Sequence, residues 1–465
     1  MPEASSETLP LKVLFIAYFY PPTESTGVPG SMRTVKFVRA LSNVEAHVLT
    51  TQPQVGPVAD ALGHLSLPVN GEKIHRVAVW DIFKALLAVR KFFTRRKTSP
   101  ESGSASSPKT TFRSSAPNPD NKASSIQRLK DFVYDSCYFP DQAGPWIIPA
   151  TIRGVRETRK NGIDAIFATG SPWSGLIVGY LISKFCGKPL IVDFRDPWMN
   201  NPFHHSKGKF LDSLALRLER KVVQHATAVS LNTEPLMEEF SERYPEQRDK
   251  FLVLPNGFDP SDFEDIDAGN AGTDSPDLVL CHAGFLYGVR DPAVLLEAIR
   301  VANRKRAGES GKIVFHQIGD VQLDYNLRDR FADLLEDGSL IIDEPVPYKQ
   351  CLRSLASADL VVNIQPGTQT QIPSKLYDYL ALGRPIINIT PADGALGRLV
   401  ASRGLGELYG FDDTENLASA LDGRFSDSSI GSFSGYLNAS EFHISNISDD
   451  LYRKLREVSS IPRQR

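Results

Sequence analysis

The run Leu11-Lys-Val-Leu-Phe-Ile-Ala-Tyr18 is short, apolar and rich in β-forming residues, and it stops at Pro21-Pro22 and a Gly/Thr/Ser loop. A continuous apolar run, as opposed to an alternating one, marks a strand buried on both faces of a parallel sheet. Past Gly30, Met32, Val35, Val38 and Leu41 recur at helical spacing with Phe37 beside them, and Ser31 suits an N-cap. Residues 46–50 read as the next strand. Strand, glycine loop, helix, strand is a βαβ unit, the opening of a doubly wound α/β domain.

The same rhythm continues outward. Strands are expected at 163–169, 189–194, 228–231 and 251–254, with helices at 173–185 and 210–225. Asn256-Gly257 then supplies a turn where positive φ is cheap. Residues 258–276 are acidic and lack an apolar period, as a linker does. Beyond them, strands at 278–282, 312–318, 359–364 and 385–389 alternate with helices at 292–303, 348–356 and 374–382, and a last helix spans 448–458. The expected fold is α/β, with two doubly wound Rossmann-like domains facing across a cleft. The first covers 1–258 and the second 277–465. Within the first, 98–125 is dense in Ser, Pro, Thr and Asn, with Phe112 its one large apolar residue. It buries too little to offset its ordering entropy, so a disordered insertion is expected.

Composition fits this picture. A chain of 465 residues suits two or three domains, and 41% hydrophobic with 23% charged residues is ordinary for a globular protein. With 52 basic and 55 acidic side chains the net charge is -3, so no nucleic-acid footprint is expected. Cys137, Cys186, Cys281 and Cys351 stand far apart, which argues against a zinc knuckle or a disulfide framework. The polar, acidic start does not read as a signal peptide. The longest apolar stretch, 175–182, is far short of the roughly 20 residues of a membrane span. A cytoplasmic protein is expected.

Three stretches carry candidate chemistry. Gln371-Ile-Pro-Ser-Lys-Leu-Tyr-Asp-Tyr-Leu-Ala-Leu-Gly-Arg-Pro385 follows a strand and a loop. Pro373 suits the first helical position and Gly383 the position past the helix end. This puts a helix N-terminus, a ready anion site, at the carboxyl end of a strand. Asp378 could hydrogen-bond a ribose there; an ordinary capped helix with a polar face reads equally well. His282-Ala-Gly-Phe-Leu-Tyr-Gly-Val-Arg-Asp-Pro292 follows the first strand of the second domain. Asp193-Phe-Arg-Asp-Pro-Trp198 follows a strand of the first.

Together these stretches resemble family 4 glycosyltransferases of the GT-B fold, over roughly residues 12–421. The 371–385 run resembles the family's donor-site segment, and more closely a subset with the form P-S-K-x-Y-[DE]-Y. Where the family has two glutamates bracketing the proline, this chain has Thr370 and Asp378. Where the family has an Arg and a Lys that neutralise the diphosphate, it has Phe285 and Arg290. The resemblance implies a donor-binding set of Arg290, Lys375, Asp378, Thr370, Ser374 and Gly284. It implies a catalytic set of Asp196, Arg195 and Arg290, with an Arg195–Asp196 pair that only braces its loop as the alternative. Thr169-Gly-Ser-Pro-Trp-Ser174 resembles the same subset, and Gly27 to Arg33 resembles the first-strand loop. Gly27, Gly30, Arg33 and Ser171 are thus expected on the acceptor side.

The implied activity is sugar transfer from a nucleotide-sugar donor to a glycan or polyprenyl-linked acceptor, with retention, in bacterial surface or exopolysaccharide assembly. A nucleotide-sugar 2-epimerase and a catalytically silent binding module are the alternatives. No metal or cofactor is expected: Asp265-Ile-Asp267 spells a metal motif but lies in the acidic linker, and His204-His205 reads as a loop. Residues 82–97 are basic and strongly apolar. They read either as an interfacial helix on the inner membrane or as a helix packed on the domain.

Overall fold

The computed structural model describes residues 9–22, 30–53, 65–80, 132–201, 206–266, 276–426 and 433–460. The readings at Gly27, 82–97, 98–125, His204-His205 and Asp267 lie outside the described residues.

Strands β1 (Leu11–Ile16), β2 (Val44–Thr51), β3 (Lys73–Val77), β4 (Ala165–Gly170), β5 (Leu190–Phe194), β6 (Ala228–Leu231) and β7 (Phe251–Val253) form one sheet, in the order β3-β2-β1-β4-β5-β6-β7. Every pairing is parallel. The opening strand shows why its sequence is a continuous apolar run. Leu14 and Ile16 enter the core on one face while Val13 and Phe15 enter the core on the other. Helices α1 (Gly30–Ala40), α2 (Ile147–Asn161), α3 (Ser174–Cys186), α4 (Lys209–His225) and α5 (Glu234–Arg243) connect the strands. Ser31 lies inside α1, one residue past its start, not at its N-cap. The αL glycines Gly162 and Gly187 end α2 and α3.

The second sheet holds β8 (Leu278–Ala283), β10 (Ile313–Ile318), β12 (Leu340–Asp343), β13 (Leu360–Ile364), β14 (Ile386–Ile389) and β15 (Glu407–Tyr409), in the order β12-β10-β8-β13-β14-β15. It too is parallel. A small parallel pair, β9 (Leu286–Tyr287) with β11 (Val321–Gln322), continues past β8 and β10. Helices α6 (Ala293–Lys305), α7 (Tyr348–Ser357), α8 (Lys375–Leu382), α9 (Ala395–Arg403) and α10 (Thr414–Gly423) cover the faces. In both sheets the strand order reverses beside the first strand, at β1/β4 and β8/β13. Ligands of doubly wound sheets bind at that switch point, outside the carboxyl ends of the strands.

One element crosses between the units. Residues 277–465 were expected as a single domain, but the last helix, α11 (Ile444–Ser460), packs on the first sheet. Its Ile444, Ile447, Leu451, Leu455 and Val458, one helical stripe, join the core of Val13, Phe15 and Phe37. The chain reaches α11 beside the hinge: Phe258 N–H donates to Phe442 O at 3.0 Å, and Ile444 N–H to Phe258 O at 2.9 Å. This contact corrects the reading of Asn256-Gly257. Gly257 does not need positive φ; a Cβ there would stand 2.5 Å from Phe442 O, so the glycine permits close approach of the returning chain. Among the described residues no helix is long and apolar enough to cross a membrane.

Candidate functional site

The carboxyl ends of the first sheet carry a buried ion pair, Arg33 with Asp193. Arg33 lies within α1, not in a loop. Its Nε and Nη2 donate to the two oxygens of Asp193 at 3.0 and 2.9 Å. Its remaining donors reach Leu254 O, Pro255 O and Asn256 Oδ1 at 2.7, 2.8 and 3.1 Å. Asp193, on β5, also accepts from Thr169 Oγ1 at 2.8 Å and Ser230 Oγ at 2.9 Å. Burial opposes its ionisation, but Arg33 and these hydroxyls hold it below the usual carboxylate range. Arg33 thus braces β5, α1 and the strand leading to the hinge.

Arg195 and Asp196 follow directly and part company. Arg195 is buried; its Nε donates to Gly170 O at 3.2 Å and its Nη2 to Ser171 O, bracing the loop after β4. Asp196 faces the second domain, where Gln371 Nε2 donates to its Oδ1 at 2.9 Å. Burial raises its pKa, and the Arg195 charge and the Gln371 hydrogen bond oppose that rise. The sequence left Arg195–Asp196 open between brace and cleft pair. In the structure Arg195 holds the loop after β4, while Asp196 contacts Gln371 of the second domain.

At the second sheet, α8 begins at the carboxyl end of β13, as its sequence predicts. Gly383 ends it in the αL conformation. Pro373, however, precedes the helix, and Ser374 takes the N-cap without a side-chain capping bond. Lys375 projects toward the end of β8. Its Nζ lies 3.0 Å from His282 Nε2 and 3.0 Å from Ala283 O. Gly284, at φ +129°, lies against it: a Cβ there would be 2.9 Å from Lys375 Nζ. Arg290 is the neighbouring cation, lying over the Tyr287 ring at 5.1 Å, and its Nε is buried without a hydrogen-bond partner among the described residues. Burial, then Arg290, push the Lys375 ammonium down to about 7. Arg290 thus lies close enough to act on Lys375, and among the described residues neither has a carboxylate partner.

Asp378 is placed apart from this pair. Its carboxylate lies 3.6 Å from Lys36 Nζ of α1 and hydrogen-bonds Tyr348; burial raises its pKa against the pull of Lys36. Lys36 also donates to Gly257 O at 3.0 Å. The structure therefore groups Asp378 with the first domain and the hinge, while Arg290 is grouped with Lys375 and His282. Thr370 offers its carbonyl, which accepts from Thr233 Oγ1 of the first domain at 2.7 Å. Gly30 opens α1. Sequence reasoning assigned no role to Gln371, Lys36 or Thr233, whose partners lie across the domain boundary.

A cavity of about 410 Å³ lies past the ends of β10 and β12, and Arg290, Lys375 and His282 are not among its lining residues. Asp320, Tyr325, Asn326, Asp343 and Glu344 line it. Its wall at Gly319 abuts Gly284, whose O would be 2.9 Å from a Cβ at Gly319. The cavity and the Arg290/Lys375 pair are linked only through the Gly319–Gly284 contact.

Comparison with known proteins bears on the fold. Residues 113–257 match the family model described as a glycosyl transferase 4-like domain. No curated protein matches the chain. The fold is GT-B. Among solved structures, Anabaena HepE in complex with UDP and glucose is 14% identical, with a TM-score of 0.54 over 96% of this chain and 100% of that one. Sucrose-phosphate synthase from Thermosynechococcus elongatus is 14% identical, with a TM-score of 0.57 over 96% and 99%. A glycosyltransferase from Rickettsia africae is 11% identical, with a TM-score of 0.55 over 97% and 100%.

Proposed function

We propose that this protein is a glycosyltransferase that moves a sugar from a nucleotide-sugar to a glycan or lipid-linked acceptor. One observation carries the reading: Arg290 and Lys375 have no carboxylate partner among the described residues at the switch point of the second sheet, and Asp196 of the first meets Gln371 in the segment that leads to Lys375. Departure of a nucleoside diphosphate builds negative charge on the leaving group, and preorganised cations at that point stabilise it. They supply the charge that a metal supplies elsewhere, so the reaction needs no metal or cofactor in this reading. The cavity beyond Gly319 takes the nucleoside. That HepE has been crystallised with UDP and glucose supports a nucleotide-sugar as donor.

Asp196 acts on the sugar or acceptor when the Gln371 contact opens. Asp378 binds ribose in the same reading, once released from Lys36. Retention of configuration, a role in surface polysaccharide assembly, and peripheral contact of a cytoplasmic enzyme with the inner membrane through residues 82–97 complete the proposal. The test is a thermal-shift panel of nucleotide-sugars, followed by nucleotide release with acceptor present. A bound donor at a hundredfold excess over Kd adds about 2.7 kcal/mol of stability. No stabilisation by any donor would overturn the proposal. Donor binding without nucleotide release would leave a binding module in its place.

A further inference from the structure

Behind Lys375 lies a hydrogen-bond chain whose direction the geometry dictates. Gln317, fully buried, uses its Nε2 to donate to Gly284 O at 2.8 Å and to Gly319 O at 3.2 Å. Two carbonyls fix the amide orientation, so Gln317 Oε1 is an acceptor. It lies 2.7 Å from His282 Nδ1, which must therefore carry the proton. His282 is then a neutral imidazole whose Nε2 accepts from Lys375. Burial holds His282 well below its ordinary pKa, which keeps the ring neutral, and the Gln317 contact selects the tautomer.

The consequence falls on Lys375. A neutral amine has two N–H donors, and His282 Nε2 and Ala283 O accept both. An ammonium has three, and among the described residues the third has no acceptor. Each group around it leaves the ammonium without a counter-charge. From β8 comes neutral His282, and from the loop after β9 comes cationic Arg290. From α7 comes Cys351, whose thiol burial raises to about 11. From α8 itself come Tyr379, whose hydroxyl is turned to Ala283 N–H, and Asp378, which is taken by Lys36.

We propose that Lys375, positioned by His282 and Gln317, rests as a neutral amine in the free protein because it is buried beside Arg290 with no counter-charge, and that the site takes up one proton as it binds the diphosphate of its donor. The proton comes from solvent and adds to the Nζ lone pair. The third N–H so formed points to the anion. This proposal rests on the nucleotide-sugar reading above and adds its protonation step.

With Lys375 near 7 when free and higher when an anion sits beside it, donor affinity is full below about pH 7 and falls as pH rises through the range between the two values. The slope there approaches tenfold per pH unit, about one proton. The probe is UDP-glucose, whose diphosphate diester has no proton to exchange between about pH 7 and pH 8.5. Titration calorimetry at about pH 8, in buffers of different ionisation enthalpy, reads the proton directly in the unmodified protein. The expected result is uptake of close to one proton. Binding with a buffer-independent enthalpy overturns the proposal while leaving the transferase reading intact; absence of binding by every donor in the panel sinks both.

Lys375→Arg gives a second measurement, because arginine stays charged throughout. The variant should still bind UDP-glucose and lose the pH slope. A slope that persists assigns the proton to another group and overturns the proposal. His282→Leu should weaken binding about tenfold and move the pH midpoint down, and His282→Asn, which keeps a side-chain acceptor, should recover part of both. A midpoint unmoved in a folded His282→Leu makes His282 a packing residue only.

Discussion

The two sheets share a strand order, but the charges at their carboxyl ends are treated in opposite ways. At the first sheet, Arg33 and Asp193 neutralise each other in the core, and every further donor and acceptor around them is used. At the second sheet, neither Arg290 nor Lys375 has a carboxylate partner among the described residues, and Lys375 takes its charge only with a ligand. A buried charge costs several kcal/mol unless paired. The first arrangement meets that cost within the fold, and the second leaves it to a ligand. The contrast separates a brace from a receptor, although both are arginine-centred and both lie at a switch point.

Removing half of the brace should have the largest effect. Asp193→Ala leaves Arg33 charged and buried, and stability should fall by about 3–5 kcal/mol, read as a lowered denaturation midpoint of the first domain. An unchanged midpoint would mean that the pair contributes nothing and that the contrast drawn above is false.

Asp196→Asn probes the point where the two regions meet. The variant should bind donor nearly as well as the parent and transfer sugar about 100-fold more slowly, roughly 2.7 kcal/mol on the transition state. Full transferase activity would reduce Asp196 to a partner of Gln371.

The receptor side is tested by Arg290→Ala. Loss of a charge-assisted contact should weaken nucleotide-sugar binding by about 2 kcal/mol, and removing an unpaired cation should not lower thermal stability. A destabilised variant with normal donor affinity would make Arg290 a second brace.

Asp378→Ala should show the smallest effect, about 1 kcal/mol in nucleotide affinity. Because Lys36 and Tyr348 already hold this carboxylate, binding must first release it. Unchanged affinity in a folded variant would assign Asp378 to the domain contact alone.

Much of the fold was legible because it rests on short-range pattern. The central strands are buried on both faces, so their apolar runs stand out. Of the four edge strands, β7 was anticipated, but β3, β12 and β15 are largely half-buried or exposed, Lys73-Ile-His-Arg-Val77 lacks any such run, and none of these three was anticipated. Gln371 and His282 open the two quoted second-domain stretches, yet nothing in their spacing told what they face.

The sequence by itself determined the two doubly wound units, the helix start after β13 and the glycine that ends α8. Those features follow from backbone sterics and from apolar periodicity within a few residues of the chain. Only the tertiary structure decided which charges are spent on each other. Arg33 meets Asp193 across 160 residues and Gln371 meets Asp196 across 175. Lys375 reaches His282 across 93, and α11 returns to the first sheet. An ion pair or a hydrogen bond is set by distance in space and by the orientation of lone pairs, and neither leaves a period in the chain.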